Sequence, residues 1–168
     1  MSAQPEFDAN RNLLTLGGSQ LVFHCHHYNL HLQRTVDEAL GADAGRALQR
    51  SAAGESARRM LSTLFAGQPR EERLASASTL FSQLGFGLSD ITSLSESGGR
   101  VVLVTSHYAV GWRSKWGEPP RAVCHFATGY WAGALSAATG LEPERIVADE
   151  VQCAAAGAES CIIELEVR

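Results

Sequence analysis

The sequence lacks the features that mark several large functional classes. It has no block of Lys or Arg residues and its net charge is −4, whereas nonspecific nucleic-acid binding requires a basic surface. No apolar run approaches the roughly 18 residues of a membrane-spanning helix. The first ten residues are polar and do not resemble a signal peptide. We therefore expect a cytoplasmic protein with no nucleic-acid partner and no membrane span.

Several well-known catalytic motifs are also missing. The chain has no GxGxxG or Walker pattern for a nucleotide and no GxSxG elbow of a hydrolase. What it does have is apolar material, because 45% of its 168 residues are hydrophobic. That amount suffices for one packed core, so we predict a single domain over residues 1–168.

The order of periodic segments predicts the fold class. Apolar spacing and turn residues indicate the order ββ-α-α-α-ββ-α-ββ, which is an α+β domain with helices packed on an antiparallel sheet. Gly54 is expected to kink or interrupt the second helix, and residues 112–120 are expected to form a loop. The predicted helices are 24–40, 42–65, 70–84 and 121–139, and the predicted strands are 13–16, 20–23, 88–94, 100–108, 146–153 and 161–167.

Three of the four cysteines fall in the last 45 residues, and Glu150 lies among them in the sequence. In a reduced cytoplasm these cysteines are free thiols or metal ligands rather than disulfides. Three thiolates and one carboxylate suit a tetrahedral zinc ion, and a shell closed by four protein ligands favours a structural site. The spacing alone leaves open three buried apolar cysteines and a surface glutamate. The candidate ligands are Cys124, Glu150, Cys153 and Cys161.

Two segments resemble a known family. Residues 124–133 (CHFATGYWAG) and 149–161 (DEVQCAAAGAESC) are similar to the C-terminal signature of the 4-vinyl reductase domain family. That family includes predicted hydrocarbon-binding proteins and the sensor domains of phenol- and xylene-responsive transcription activators. The resemblance implies zinc at the four candidate ligands. It also implies a fold related to trafficking-complex subunits, a homodimer, and an apolar ligand pocket beside the zinc.

The pocket histidine and tryptophan of the phenol sensors have no counterpart in this chain. Residues 80–85 contain no histidine, and Val104 stands near the tryptophan position. The resemblance therefore implies a hydrophobic or aromatic ligand without specifying phenol.

A histidine cluster is the second candidate site. His24, His27 and His31 lie at i, i+3 and i+7, on one face of the first predicted helix. If that face turns inward, these imidazoles are expected to bind a second metal or a haem, and His107 and His125 could join them. The alternative is a polar helix face with solvated histidines.

Two functional hypotheses follow. The favoured one is a small-molecule-binding or sensing domain with a structural zinc, whose output passes through a separate signalling or enzyme partner. The alternative is a metal- or haem-dependent enzyme, or an enzyme accessory, that uses the histidine cluster on a porphyrin-like or small aromatic substrate. A scaffold dimer is a third possibility.

Overall fold

The computed structural model describes residues 4–22 and 25–168. Short 3-10 turns occur at Arg70–Glu72, Pro143–Arg145 and Ala154–Ala156. The strands are β1 (Glu6–Asp8), β2 (Leu13–Leu16), β3 (Ser19–Leu21), β4 (Gly87–Ser95), β5 (Gly98–Ser106), β6 (Ile146–Gln152) and β7 (Cys161–Val167). The helices are α1 (His26–Leu40), α2 (Ala42–Leu64), α3 (Arg73–Gln83), α4 (His107–Trp116) and α5 (His125–Thr139). None of these helices is long and apolar enough to cross a membrane.

The main sheet is antiparallel, with the strand order β4-β5-β7-β6, and β1, β2 and β3 form a separate small sheet. Strand β7 shows the alternation of a half-buried strand. Its residues Cys161, Ile163 and Leu165 are buried, whereas Glu164 and Glu166 are exposed. The predicted α+β class with an antiparallel sheet is therefore confirmed.

Helix α5 is buried almost all round, with 11 of its 15 residues shielded from solvent. One side contacts α2 at the backbone, because a Cβ atom on Gly129 or Gly133 would overlap the carbonyl oxygens of Arg50 and Gly54. Elsewhere α5 contacts α3, β6 and β7. The Tyr130 hydroxyl donates to the carbonyl oxygen of Ala77 in α3 at 2.8 Å. The glycines thus set how closely α2 and α5 approach each other.

The prediction for residues 107–116 is wrong. These residues form helix α4, whereas residues 107–108 were predicted to end a strand and residues 112–120 to form a loop. Ser106 caps the helix by accepting a hydrogen bond from the Ala109 N–H. Gly111 lies against Leu30 of α1, so α4 is stabilised by a tertiary contact rather than by an amphipathic pattern.

Helix α2 runs through Gly54 without interruption, contrary to the predicted kink. The physical reason is the neighbouring helix, since a Cβ on Gly54 would lie only 3.2 Å from the Gly129 carbonyl oxygen. A small residue is needed at this crossing, and the burial gained there offsets the low helix propensity of glycine.

The α2–α5 contact predicts unequal effects for two glycine substitutions. Gly133→Ala should lower the free energy of unfolding by about 1–3 kcal/mol, because its Cβ overlaps backbone that has no room to move. Gly54→Ala should change it by less than about 1 kcal/mol, because its contact is milder and helix propensity improves. Urea denaturation followed by circular dichroism measures both values. Equal effects of the two variants would contradict this account of the packing.

Candidate functional site

The structure brings Cys124, Glu150, Cys153 and Cys161 together. Cys124 directly precedes α5, Glu150 lies in β6, Cys153 follows β6, and Cys161 begins β7. One ligand atom from each residue lies within 4.8 Å of all the others. We call these four residues the cysteine cluster.

The spacing of the cysteine cluster matches a small tetrahedral ion. The Sγ atoms of Cys124 and Cys161 are 3.5 Å apart, close to the ~3.8 Å edge of a tetrahedron with Zn–S bonds of ~2.3 Å. The exposed fractions of the three cysteines are 0%, 4% and 0%. The Ser106 hydroxyl lies 3.1 Å from the Cys124 Sγ, and the Ala154 N–H donates to the Cys161 Sγ at 3.2 Å.

Glu150 completes the cluster with a carboxylate. Its Oε2 accepts a hydrogen bond from the Cys124 N–H at 2.7 Å. Its Oε1 is buried and has no hydrogen-bond partner within the described residues. Burial, with the nearby Cys153 thiolate second in importance, raises the pKa of Glu150 to about 8. An unpaired oxygen at this depth is costly, and a bound cation would satisfy it.

The cysteine thiols interact strongly with one another. Hydrogen bonds from Cys124 and Cys161 lower the pKa of Cys153, whereas the pKa of Cys161 is raised. The turn Ala154–Ala156 and the positive φ of Gly157 return the chain from Cys153 to Cys161. The arrangement can hold a cation, and it presents all four donors from the protein itself.

A cavity of about 610 Å³ lies next to the cysteine cluster. Its apolar walls come from α4 and from the segment before α5. Charged side chains of α1, those of Arg34, Asp37 and Glu38, also line it. The two indole rings, those of Trp112 and Trp116, pack edge to face at 4.9 Å. The apolar wall residues are Trp112, Trp116, Pro119, Pro120, Ala122 and Val123.

A neutral imidazole borders this cavity. The His125 Nε2 lies 3.5 Å from the Asp37 Oδ2, and both residues line the cavity. Burial, followed by the charges of Arg50 and Arg46, lowers the pKa of His125 to about 4. Burial also raises the pKa of Asp37. The contact at neutral pH is therefore a polar one and not an ion pair.

A second apolar cavity of about 350 Å³ lies between α1 and α2. It is smaller than the first and lies against a different part of α5. Its apolar lining consists of Leu32, Val36, Leu48, Ala52, Ala53, Tyr108 and Phe126.

Two residues of the predicted histidine cluster lie within the described part of the chain. His24 lies outside the described residues, and α1 begins at His26. His27 and His31 are exposed, and the His31 ring packs on Trp116 with centroids 5.3 Å apart. This placement differs from the inward-facing one that the spacing indicated. Ligation by His24, His27 and His31 stays a prediction without geometric support.

Sequence reasoning missed a different histidine pair. The Nδ1 atoms of His26 and His107 are 3.2 Å apart, although the residues are 81 positions apart in the chain. Burial, followed by the charge of His26, lowers the pKa of His107. On the predicted helix His26 does not share the face of His24, His27 and His31, so its spacing indicates no partner. Only the tertiary fold reveals its partner.

Comparisons with known proteins support the fold through structure alone. No family model matches the chain, and no curated protein matches it. The phenol-responsive sensory domain of the transcription activator PoxR, solved with phenol, aligns with a TM-score of 0.79 and 20% identity. That alignment covers 97% of this chain and 84% of the PoxR chain.

Two further solved structures share the architecture. A vinyl-4-reductase family protein from Methanocaldococcus jannaschii aligns with a TM-score of 0.55 and 15% identity, over 90% of this chain and 86% of that chain. A trafficking protein particle complex subunit 3 from Naegleria fowleri, covalently bound to palmitic acid, aligns with a TM-score of 0.61 and 13% identity. That alignment covers 84% of this chain and 91% of that chain. The chain therefore has the 4-vinyl reductase-like fold that the sequence predicted.

Proposed function

We propose that the chain is one small-molecule-binding domain that senses a small hydrophobic or aromatic ligand and holds a structural zinc ion. This proposal rests on residues 123–125, which contribute both to the larger cavity and to the cysteine cluster. Val123 and His125 line the cavity with the two tryptophans, and Cys124 between them belongs to the cysteine cluster. A ligand in the cavity would thus contact Val123 and His125, and a metal ion would bind Cys124 between them.

The donor set supports zinc as the ion. Zn²⁺ favours tetrahedral shells of thiolate with imidazole or carboxylate, and thiolate excludes hard ions such as Mg²⁺ and Ca²⁺. With four protein ligands no position is left open for a substrate, so the ion's contribution would be structural. Cys124, Glu150, Cys153 and Cys161 would then join the start of α5 to both strands of the last hairpin.

The cavity supports an apolar ligand of modest size. Its volume of about 610 Å³ falls in the usual range for small-molecule sites, roughly 300–1,000 Å³. Indole and proline walls favour a flat ring or an alkyl chain. His125 and Asp37 offer polar contacts to one ligand substituent. The same fold occurs in the PoxR domain solved with phenol and in the subunit bound to palmitic acid, which supports this ligand class.

The output of such a sensor requires a second surface. Four large apolar side chains on α1 and α2 are exposed, and they favour a homodimer contact on these helices. Beyond the dimer, we propose a separate signalling or enzyme partner in the cytoplasm. The exposed residues are Tyr28, Leu32, Leu40 and Leu48.

Metal analysis tests the zinc proposal. Protein purified with zinc should retain one cysteine-dependent equivalent per chain. Cys161→Ser and Glu150→Gln should reduce it and lower the thermal midpoint, because binding of a structural metal is coupled to folding. Cys25→Ser is the matched control, because Cys25 is exposed and remote from the cluster in sequence. Full zinc retention by Cys161→Ser, or no zinc in the unsubstituted protein, would refute the site.

Titration with p-cresol, and separately with palmitate, tests the ligand proposal by calorimetry. Trp112→Ala should weaken binding of the accepted probe by about tenfold, since the loss of one aromatic wall is worth about 1–1.5 kcal/mol. Leu48→Ala, in the smaller cavity, should leave the affinity unchanged. Weaker binding only in Leu48→Ala would move the ligand to the cavity between α1 and α2. Binding of neither probe would contradict the proposed ligand class.

A further inference from the structure

The first residues of two helices meet outside the cysteine cluster. His26 begins α1 and His107 begins α4. Their Nδ1 atoms are 3.2 Å apart, and their rings are nearly perpendicular, at 88°. The His107 N–H donates to the Phe86 carbonyl oxygen at 3.0 Å, which fixes the start of α4. Two imidazoles from distant parts of the chain therefore present the same ring atom to one point.

The distance between the two Nδ1 atoms is compatible with a direct N–H···N hydrogen bond. The distance also equals the edge of a metal coordination shell. Two nitrogens bound at ~2.05 Å to one ion, with an angle of 90–110° between them, are about 2.9–3.4 Å apart. The distance between the two Nδ1 atoms therefore fits chelation of one ion, for which the tautomers must leave both Nδ1 atoms unprotonated.

The surroundings of the pair favour a cation. A cavity of about 200 Å³ adjoins both rings, and it has room for an ion and a few waters at ~30 Å³ each. Asn29, whose side chain carries an amide oxygen, lines it one turn after His26. No Lys or Arg in the described part of the chain lines it. The lining residues are His26, Asn29, Leu84, Gly85, Phe86 and His107.

We propose that His26 and His107 form a second metal site, which takes a divalent transition ion such as Ni²⁺, Cu²⁺ or Zn²⁺ through the two Nδ1 atoms. Imidazole suits these ions, and water from the cavity completes the shell. The site shares no residue with the cysteine cluster. A bound ion clamps the start of α1 to the start of α4, the two helices that flank the larger cavity.

Calorimetric titration with Ni²⁺ tests the site on the full chain without a polyhistidine tag and after zinc loading. We expect one saturable Ni²⁺ equivalent, without zinc release to a chromophoric chelator. His26→Gln and His107→Gln should each weaken it at least about tenfold, since even loss of an outer-shell partner costs 10–100-fold. His31→Gln, which changes an exposed histidine on the same helix, should leave it unchanged.

Three results would overturn the proposal. They are the absence of saturable Ni²⁺ binding, binding that survives His26→Gln, and equal weakening by His31→Gln. His26 is exposed, so its substitution tests the site even if His107→Gln disturbs folding, which circular dichroism would reveal.

Discussion

The burial of α5 on nearly every side is the constraint on which the rest of the structure depends. Gly129 and Gly133 allow the α2 backbone to approach closely, and the sheet and α3 cover other sides of the helix. A helix held in this way has no freedom to slide along its axis. Its first turn, and with it Cys124, is therefore fixed at the level where β6 ends and β7 begins. The cysteine cluster is a consequence of that placement.

Sequence patterns within a short segment predicted those elements whose conformation depends mainly on that segment. The alternation from Cys161 to Val167 gave the bounds of β7 as they are observed, because period two requires only one buried face. The spacing of Cys124, Glu150, Cys153 and Cys161 made them candidate ligands, and the resemblance of residues 124–133 and 149–161 to a family signature favoured a metal site over separate buried cysteines. The structure brings these four residues together. Helix α4 was not predicted, because its residues were assigned to the end of a strand and to a loop. Its buried residues Tyr108, Ala109 and Gly111 show no stripe of large apolar side chains, and its stability comes from contact with α1.

The histidines show that the spacing of residues along a helix does not predict whether they face the core or the solvent. A face at i, i+3 and i+7 can form a buried site only if it points into the fold. The direction in which that face points depends on what covers the helix. Here Leu30 and Gln33 are the buried residues of α1, so His27 and His31 remain outside. The contact between His26 and His107 depends on the packing of α1 against α4, which no window of sequence contains.

Segment 123–125 relates the proposed ligand cavity to the rest of the molecule. The Val123 carbonyl oxygen accepts a hydrogen bond at 2.8 Å from the buried Gln33 of α1, and His125 contacts Asp37 of the same helix. An ion at the cysteine cluster would fix Cys124 to the hairpin, so a ligand against Val123 and His125 would not displace the segment toward β7. On the other side of the cavity, α1 is less firmly packed, because it makes fewer close backbone contacts than α5. A response to ligand should therefore emerge through α1, the helix that also carries the exposed Tyr28 and Leu32.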